Sequence, residues 1–270
     1  MEEQILGITK IVNWLLGKPA LALLAALHIH PENSEYPIPT HIAMEFLVFL
    51  LSIVFFLWLK ARLSVDNPGA TQQCMETLLH NNMSLGVSDL LESNMGHSGA
   101  RYVPMIGSIG LFVLFCNLIS LVPGLTSPTA QVSVPLGCAI VVFVYYNWCG
   151  LRTLGPLHYG KHFLGPNIFL SPLMAIVEFF SHMARLLSLT VRLWVNMMVS
   201  EMLYVIFLGL SLTLFLFAGH ANPVGYILAP VPLLAPVLFI ALHIFVAFVQ
   251  AFVFTILPVI YLSGAVGEGH

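Results

Sequence analysis

Charge is scarce in this chain. Nine Lys and Arg and twelve Asp and Glu are spread over 270 residues, 8% of the total, against 59% hydrophobic residues. Soluble domains carry about 25% charged residues, so a water-exposed globular fold is excluded and an integral membrane protein is implied. Residues 226–263 contain no Asp, Glu, Lys or Arg at all. There is no basic patch and no aromatic stacking platform, which excludes a nucleic-acid partner. Cysteine is also sparse. Cys74, Cys116, Cys138 and Cys149 form no CxxC pair, so neither a disulfide frame nor a thiolate metal site is expected, and the four read as free, small apolar residues. Nor is there an HExxH motif. His158 and His162 are four apart in "HYGKH", and His28 and His30 are two apart, but no third ligand accompanies either pair. No metal and no cofactor is therefore expected.

What is present is apolar and helical in rhythm. The N-terminus begins Met1-Glu2-Glu3, and Lys10, Asn13 and Lys18 interrupt its apolar run. That makes a poor signal peptide. An amphipathic surface helix over 5–16, with Trp14 at the interface, fits better. Residues 1–41 read as an N-terminal tail and 42–270 as a single membrane domain. Spans are expected at 42–62, 103–122 and 132–151, each long enough to cross a hydrocarbon core of about 30 Å. Between the first two, residues 72–95 form one amphipathic surface helix with a break near Gly86.

Two more segments, 167–218 and 226–264, are too long for upright spans. At about 1.5 Å per residue each far exceeds the bilayer core, and neither holds a polar loop. They are either steeply tilted or bent at prolines such as Pro230, Pro236 and Pro258. A steeply tilted hairpin is the preferred reading. The fold class is thus all-α, with about five transmembrane helices and amphipathic surface helices. Lys60, Arg62, Arg101, Arg152 and Lys161 fall on one side if the spans alternate, while 123–131 and 219–225 carry no Lys or Arg. The positive-inside rule then puts the N-terminus outside and the C-terminus inside, with Lys10 and Lys18 as exceptions in the tail.

The first long segment carries the polar groups. At about 100° per residue, Glu178, Ser181, Arg185, Ser188, Arg192 and Asn196 share an arc of about 80°. His182 lies at its edge and Glu201 about 180° from Arg192. An ordinary polar seam between helices would let Glu178 and Arg185 pair. But they are two turns apart, about 10 Å, too far for a tight pair. Ionisable groups at this depth cost about 2.5–3.5 kcal/mol each on insertion scales, which favours a functional stripe. The second long segment adds His243 and Gln250, seven apart and on one face. Carboxylate, imidazole and amide suit a proton path. Arg192 stays charged and cannot carry that proton. It can block direct leakage and attract a carboxylate, and the stripe's own acids are too distant to supply one. A partner subunit is implied.

In these residues the chain resembles the a subunit of the F-type ATP synthase membrane sector. One matching block is "VEFFSHMARLLSLTVRLWVNMMVSE", with Glu178, Ser181, His182, Arg185, Ser188, Leu189, Arg192, Leu193, Asn196, Met197 and Glu201 in the family's pattern. The other is "HIFVAFVQAFVFTILPVIYLSGAV", with His243, Gln250 and Tyr261–Ser263. Pro68, Gly69, Gln72 and Glu76, and then Asn117 and Pro123, fit more weakly. The likeness covers about residues 40–265. Val195 and Ser200 stand where glycine is common, Val199 is larger than usual, and Ser120, Gln131 and Ser133 replace the Asp or Asn of some relatives. The outer path is therefore expected to rely on water more than on those side chains.

The resemblance implies two offset half-channels against a rotating c-subunit ring, with the long hairpin following the ring. Protons would enter past Glu201 and His243 and leave past Glu178 and Ser181, with His182 and Ser188 on the same stripe. Arg192 would separate the two paths, with Gln250 and Asn196 beside it. Arg185 and Asn117 would be secondary. A b-subunit peripheral stalk and, indirectly, the F1 sector are implied partners, together with the lipid bilayer. ATP chemistry would lie on other subunits. A bacterial plasma membrane is expected over an organellar one, since no transit peptide is evident. Rival readings are a self-contained channel or secondary transporter, for which no internal repeat is found, an intramembrane metalloenzyme, and a passive scaffold, which leaves the stripe unexplained.

Overall fold

A backbone in hydrocarbon must satisfy its own N–H and C=O groups, and this chain does so with helices. The computed structural model describes residues 7–26, 36–65, 67–80, 86–122, 125–156, 171–221 and 231–266. Among them there is no strand. The order is α1 (Gly7–Ala26), α2 (Thr40–Ala61), α3 (Ala70–Leu79), α4 (Val87–Met95), a 3-10 stretch (Gly96–Tyr102), α5 (Val103–Leu118) with a 3-10 extension (Ile119–Leu121), a 3-10 turn (Pro128–Ala130), α6 (Ser133–Leu154), α7 (Ser171–Ala221) and α8 (Val231–Val266).

Five helical stretches are long and apolar enough to cross a membrane: Thr40–Ala61, Gly99–Leu121, Ser133–Leu154, Ser171–Leu216 and Pro236–Val266. Their number agrees with the expected all-α fold of about five transmembrane helices. α6 runs a few residues further than expected and takes Arg152 into its last turn. A cation is favourable at a helix C-terminus, and the Arg152 guanidinium lies over the Trp148 ring, 5.1 Å from its centroid. Gly155, at φ +78°, ends the helix in a conformation that a side chain would resist. α7 has 51 residues and α8 has 36, about 76 Å and 54 Å of helix. α8 stays helical through Pro236 and Pro258, while Pro230 and Pro123 lie outside the described residues. Many apolar side chains on these helices are exposed, Leu57, Val144 and Phe245 among them, because lipid rather than protein is their solvent.

The N-terminal helix extends beyond the expected 5–16. It continues through Pro19 to Ala26, since the Ala- and Leu-rich run after the proline consists of strong helix formers. Trp14 is 81% exposed. The helix expected over 72–95 with a break near Gly86 is two helices, α3 and α4, with Gly86 immediately before the second. α3 stops at Leu79, His80 and Gly86 are both extended, and an imidazole–carboxylate contact joins His80 to Asp89. A Cβ at Gly86 would strike the Leu79 carbonyl at 2.6 Å, so only glycine lets the chain turn so close to the preceding helix.

The described residues gather into two compact units. One comprises Met1–Leu57, Leu114–Gln131 and Met197–Ala247; the other comprises Trp58–Val113, Val132–Asn196 and Phe248–His270. In the first, Ala43, Met44, Val48, Cys116, Met197 and Ala247 are buried, and Phe207 stacks on Phe239 at 4.1 Å. The Asn13 amide both donates to Ile38 O and accepts from Ile38 N, each at 2.9 Å. In the second, Leu91, Val113, Leu193, Phe254 and Leu262 form the core. Gln72 makes a similar amide clamp on Ser64, at 3.0 Å to both backbone atoms, and donates to Glu76 Oε1 at 2.7 Å. Each clamp satisfies backbone groups that lie outside a helix.

Candidate functional site

The first unit holds a polar cluster in an otherwise apolar interior. His243 on α8 is buried. Its Nδ1 lies 2.9 Å from Ser200 Oγ on α7. Its Nε2 lies 3.0 Å from Ser120 Oγ and 3.3 Å from Asn117 O. Both serine hydroxyls also reach backbone carbonyls, Ser120 to Asn117 O and Ser200 to Met197 O, each at 3.2 Å. Thus both imidazole nitrogens have partners, as a buried polar ring requires.

Asn117 extends the cluster. Its Nδ2 donates to Ala247 O at 3.5 Å, and its Oδ1 accepts from Thr129 Oγ1 at 2.6 Å. Thr129 meets Ser127 Oγ at 2.7 Å, and Ser127 donates to Cys116 O at 2.9 Å. The backbone N–H of Ser127 hydrogen-bonds the Glu201 carboxylate. Glu201, the next residue after Ser200 on α7, is half-buried. The unit therefore gathers Glu201, His243 and Asn117, which sequence reasoning singled out, with Ser127 and Thr129, which it missed. The signal was the hydroxyl-rich turn "TSPT". Ser120 and Ser200 had been read as departures, and both bond the histidine ring. The Ser120 hydroxyl reaches the imidazole directly, 3.0 Å from Nε2.

The second unit holds the other polar residues of α7. Glu178 Oε1 lies 3.2 Å from His182 Nδ1 and 3.9 Å from Arg185 Nη2. Glu178 and Arg185 make no tight pair, as their two-turn spacing implies, but a loose one at 3.9 Å. Helical side chains lean towards the N-terminus, so the long guanidinium arm reaches back across two turns. Arg185 also lies over the Tyr261 ring of α8, 5.4 Å from its centroid. Tyr261 meets Tyr146 at 5.9 Å, and Tyr146 meets His182 at 6.0 Å. An imidazole and a guanidinium thus lie beside Glu178, whose side chain is 28% exposed, and two tyrosines lie beside those. Ser181 is half-buried and Ser188 exposed. His182 is buried.

Arg192 stands apart in this unit. It is exposed, and it makes no ion pair among the described residues. The other four arginines each stack on an aromatic ring: Arg62 on Trp58, Arg101 on Tyr102, Arg152 on Trp148 and Arg185 on Tyr261. Gln250 is buried and Asn196 half-buried. Gln250 shares no hydrogen bond with Arg192 among the described residues; Gln250 is buried and Arg192 exposed. Among the described residues no three His, Cys, Asp or Glu gather as a metal site. His28, His30, His158 and His162 lie outside those residues.

Comparison with known proteins gives a consistent picture. Residues 42–263 match the sequence model of the family described as ATP synthase A chain. The chain is 40% identical over 265 residues to the ATP synthase subunit a of Koribacter versatilis, covering 98% of each chain. It is 40% identical over 252 residues to that of Solibacter usitatus, covering 92% of this chain and 95% of the relative. With that of Geotalea uraniireducens it shares 35% identity over 249 residues, covering 92% and 94%.

Proposed function

The chain belongs to the ATP synthase A chain family and so is a proton-conducting stator subunit in the membrane sector of an F-type ATP synthase, and we propose that it divides this work between the two polar clusters. Protons enter from the outer side through Glu201, His243 and Asn117. They load a carboxylate on a rotating c-subunit ring. After the ring turns, they leave on the inner side past Glu178, Ser181, His182 and Ser188, with Arg185 holding Glu178. Arg192 is the fixed charge between entry and exit, and Gln250 and Asn196 support its surroundings. α7 and α8 form a tilted hairpin that follows the ring, within one membrane domain over 42–270.

The observation that carries this reading is the environment of Arg192. A permanent cation on a helix apolar enough to span lipid is costly without a partner. Every other arginine has an aromatic face. Arg192 has neither ring nor carboxylate among the described residues, so its counter-charge comes from another chain. An acid on the ring satisfies that need and is held ionised as it passes. This chain has no catalytic site of its own, and ATP is made on the F1 sector, joined through a b-subunit stalk. The protein is a multi-pass membrane protein; its membrane is a bacterial plasma membrane, with the N-terminus outside and the C-terminus cytoplasmic.

The test is Arg192→Ala in the complex reconstituted into liposomes. Coupled ATP synthesis stops. Synthesis at the wild-type rate would remove the barrier role. Proton flux through the purified chain alone, with no ring present, would instead favour a self-contained channel.

A further inference from the structure

We propose that Ser200 is a positioning residue of the proton path, a hydroxyl switch that lets His243 take up and release its second proton without leaving a ring nitrogen unpaired. This rests on the reading that His243 lies in that path.

The two sides of the ring differ. Asn117 O is a carbonyl and can only accept, so Nε2, 3.3 Å away, carries a hydrogen. Ser120 Oγ is 3.0 Å from the same nitrogen, and its own O–H has Asn117 O at 3.2 Å. It too can accept from Nε2–H, and that side is fixed. Among the described residues the partner of Nδ1 is Ser200 Oγ, at 2.9 Å. That hydroxyl has a second partner of its own, Met197 O at 3.2 Å.

A hydroxyl carries one hydrogen and rotates to suit its neighbours. When the ring is neutral, Nδ1 is a bare acceptor and the Ser200 O–H points at it. When the ring is protonated, Nδ1–H donates to Ser200 Oγ and the O–H turns to Met197 O. The incoming proton passes through that hydroxyl: an O–H bond of a hydronium breaks and its proton joins Ser200 Oγ, as the hydrogen already on Oγ moves to Nδ1, so one N–H bond forms, Ser200 still carries one hydrogen, and water remains. Release reverses this. An alanine would strand a buried N–H on a charged ring, a larger cost than the loss of one neutral hydrogen bond. A glycine, common at this position in the family, offers no hydroxyl either, so the switch belongs to chains that carry serine here.

Among the described residues, the groups bonded to the imidazole are Asn117 and Ser120, from α5 and its extension, and Ser200 from α7. None of them titrates. Glu201, next on α7, is the neighbouring titratable group, and its carboxylate accepts the Ser127 backbone N–H.

The experiment measures ATP-driven proton pumping by the intact complex in liposomes as a function of pH, for Ser200→Ala, Ser200→Thr and His243→Leu. In Ser200→Ala, the pH at which flux falls as pH rises comes about one unit lower, a tenfold weaker hold on the proton. Ser200→Thr keeps the hydroxyl and keeps the wild-type profile. A Ser200→Ala profile of unchanged shape, or one lowered equally at every pH, would overturn the switch and leave packing as its role. If His243→Leu pumps normally, the placement of His243 in the path fails and the switch fails with it. If His243→Leu is inactive and Ser200→Ala keeps its shape, only the switch is lost.

Discussion

Thr129 Oγ1 donates to Asn117 Oδ1 across 2.6 Å, and both residues are completely buried. The bond ties the 3-10 turn before α6 to the end of α5. It also holds Asn117 in register, so that its backbone oxygen meets His243 and its amide meets Ala247 O. Thr129→Val keeps the shape and removes the donor, leaving a buried amide oxygen unpaired. The expected loss is about 1–3 kcal/mol of stability. Thermal unfolding of the purified subunit in detergent measures it. Thr129→Ser, which keeps the hydroxyl, loses much less. Equal melting of Thr129→Val and wild type would mean that water replaces the bond.

Glu201 and His243 are expected to act together in proton entry. Changing both to apolar residues of similar size removes the two groups of the first cluster that can exchange protons. Proton flux through the reconstituted complex should fall by about a hundredfold, in line with the effect of losing a positioned proton-transfer group. Flux is read by quenching of a pH-sensitive dye in the vesicles. Unchanged flux would reduce the pair to a structural role.

The five spans were legible because lipid selects for uninterrupted apolar runs, and 42–62 or 132–151 could hardly be anything else. The stripe from Glu178 to Asn196 was equally legible, since a helical period places spaced residues on one face. The neighbours of His243 were not. Asn117 and Ser120 are more than 120 positions away in sequence, and no local pattern encodes such a contact. Ser200 was visible only as a departure from glycine, and its meaning appeared once the imidazole was seen beside it. Ser127 and Thr129 were hidden by their composition: a Ser-Pro-Thr turn reads as an ordinary loop. Glu178 and Arg185 come within 3.9 Å because the length and lean of the arginine side chain span what backbone rise alone would keep apart.

Arg185 and Tyr261 give a separate prediction. The guanidinium lies over the ring and also 3.9 Å from Glu178. Tyr261→Leu removes the aromatic face at a cost of about 0.5–2 kcal/mol, whereas Tyr261→Phe keeps the face and costs little. Arg185→Lys retains the charge but loses the planar group that stacks. Thermal melting in detergent should therefore rank Tyr261→Leu and Arg185→Lys below Tyr261→Phe and wild type. Equal melting of all four would show that the stacking contributes nothing.

Gly110 on α5 faces Thr255 on α8. A Cβ built at Gly110 would collide with Thr255 Oγ1. The threonine cannot easily yield, because its hydroxyl donates to Ala251 O at 2.8 Å and a β-branched side chain has few rotamers in a helix. Gly110→Ala should then destabilise the protein by about 1–3 kcal/mol, the usual cost of overpacking. Thr255→Ala alone removes the obstacle and loses only a bond within its own helix. In the double variant the new methyl occupies the space left by the hydroxyl, so the two changes should fail to add and stability should recover much of the loss. The four melting temperatures of this cycle decide the matter. Simple additivity would mean that α5 and α8 shift apart at this point, and that glycine is not what permits their close approach.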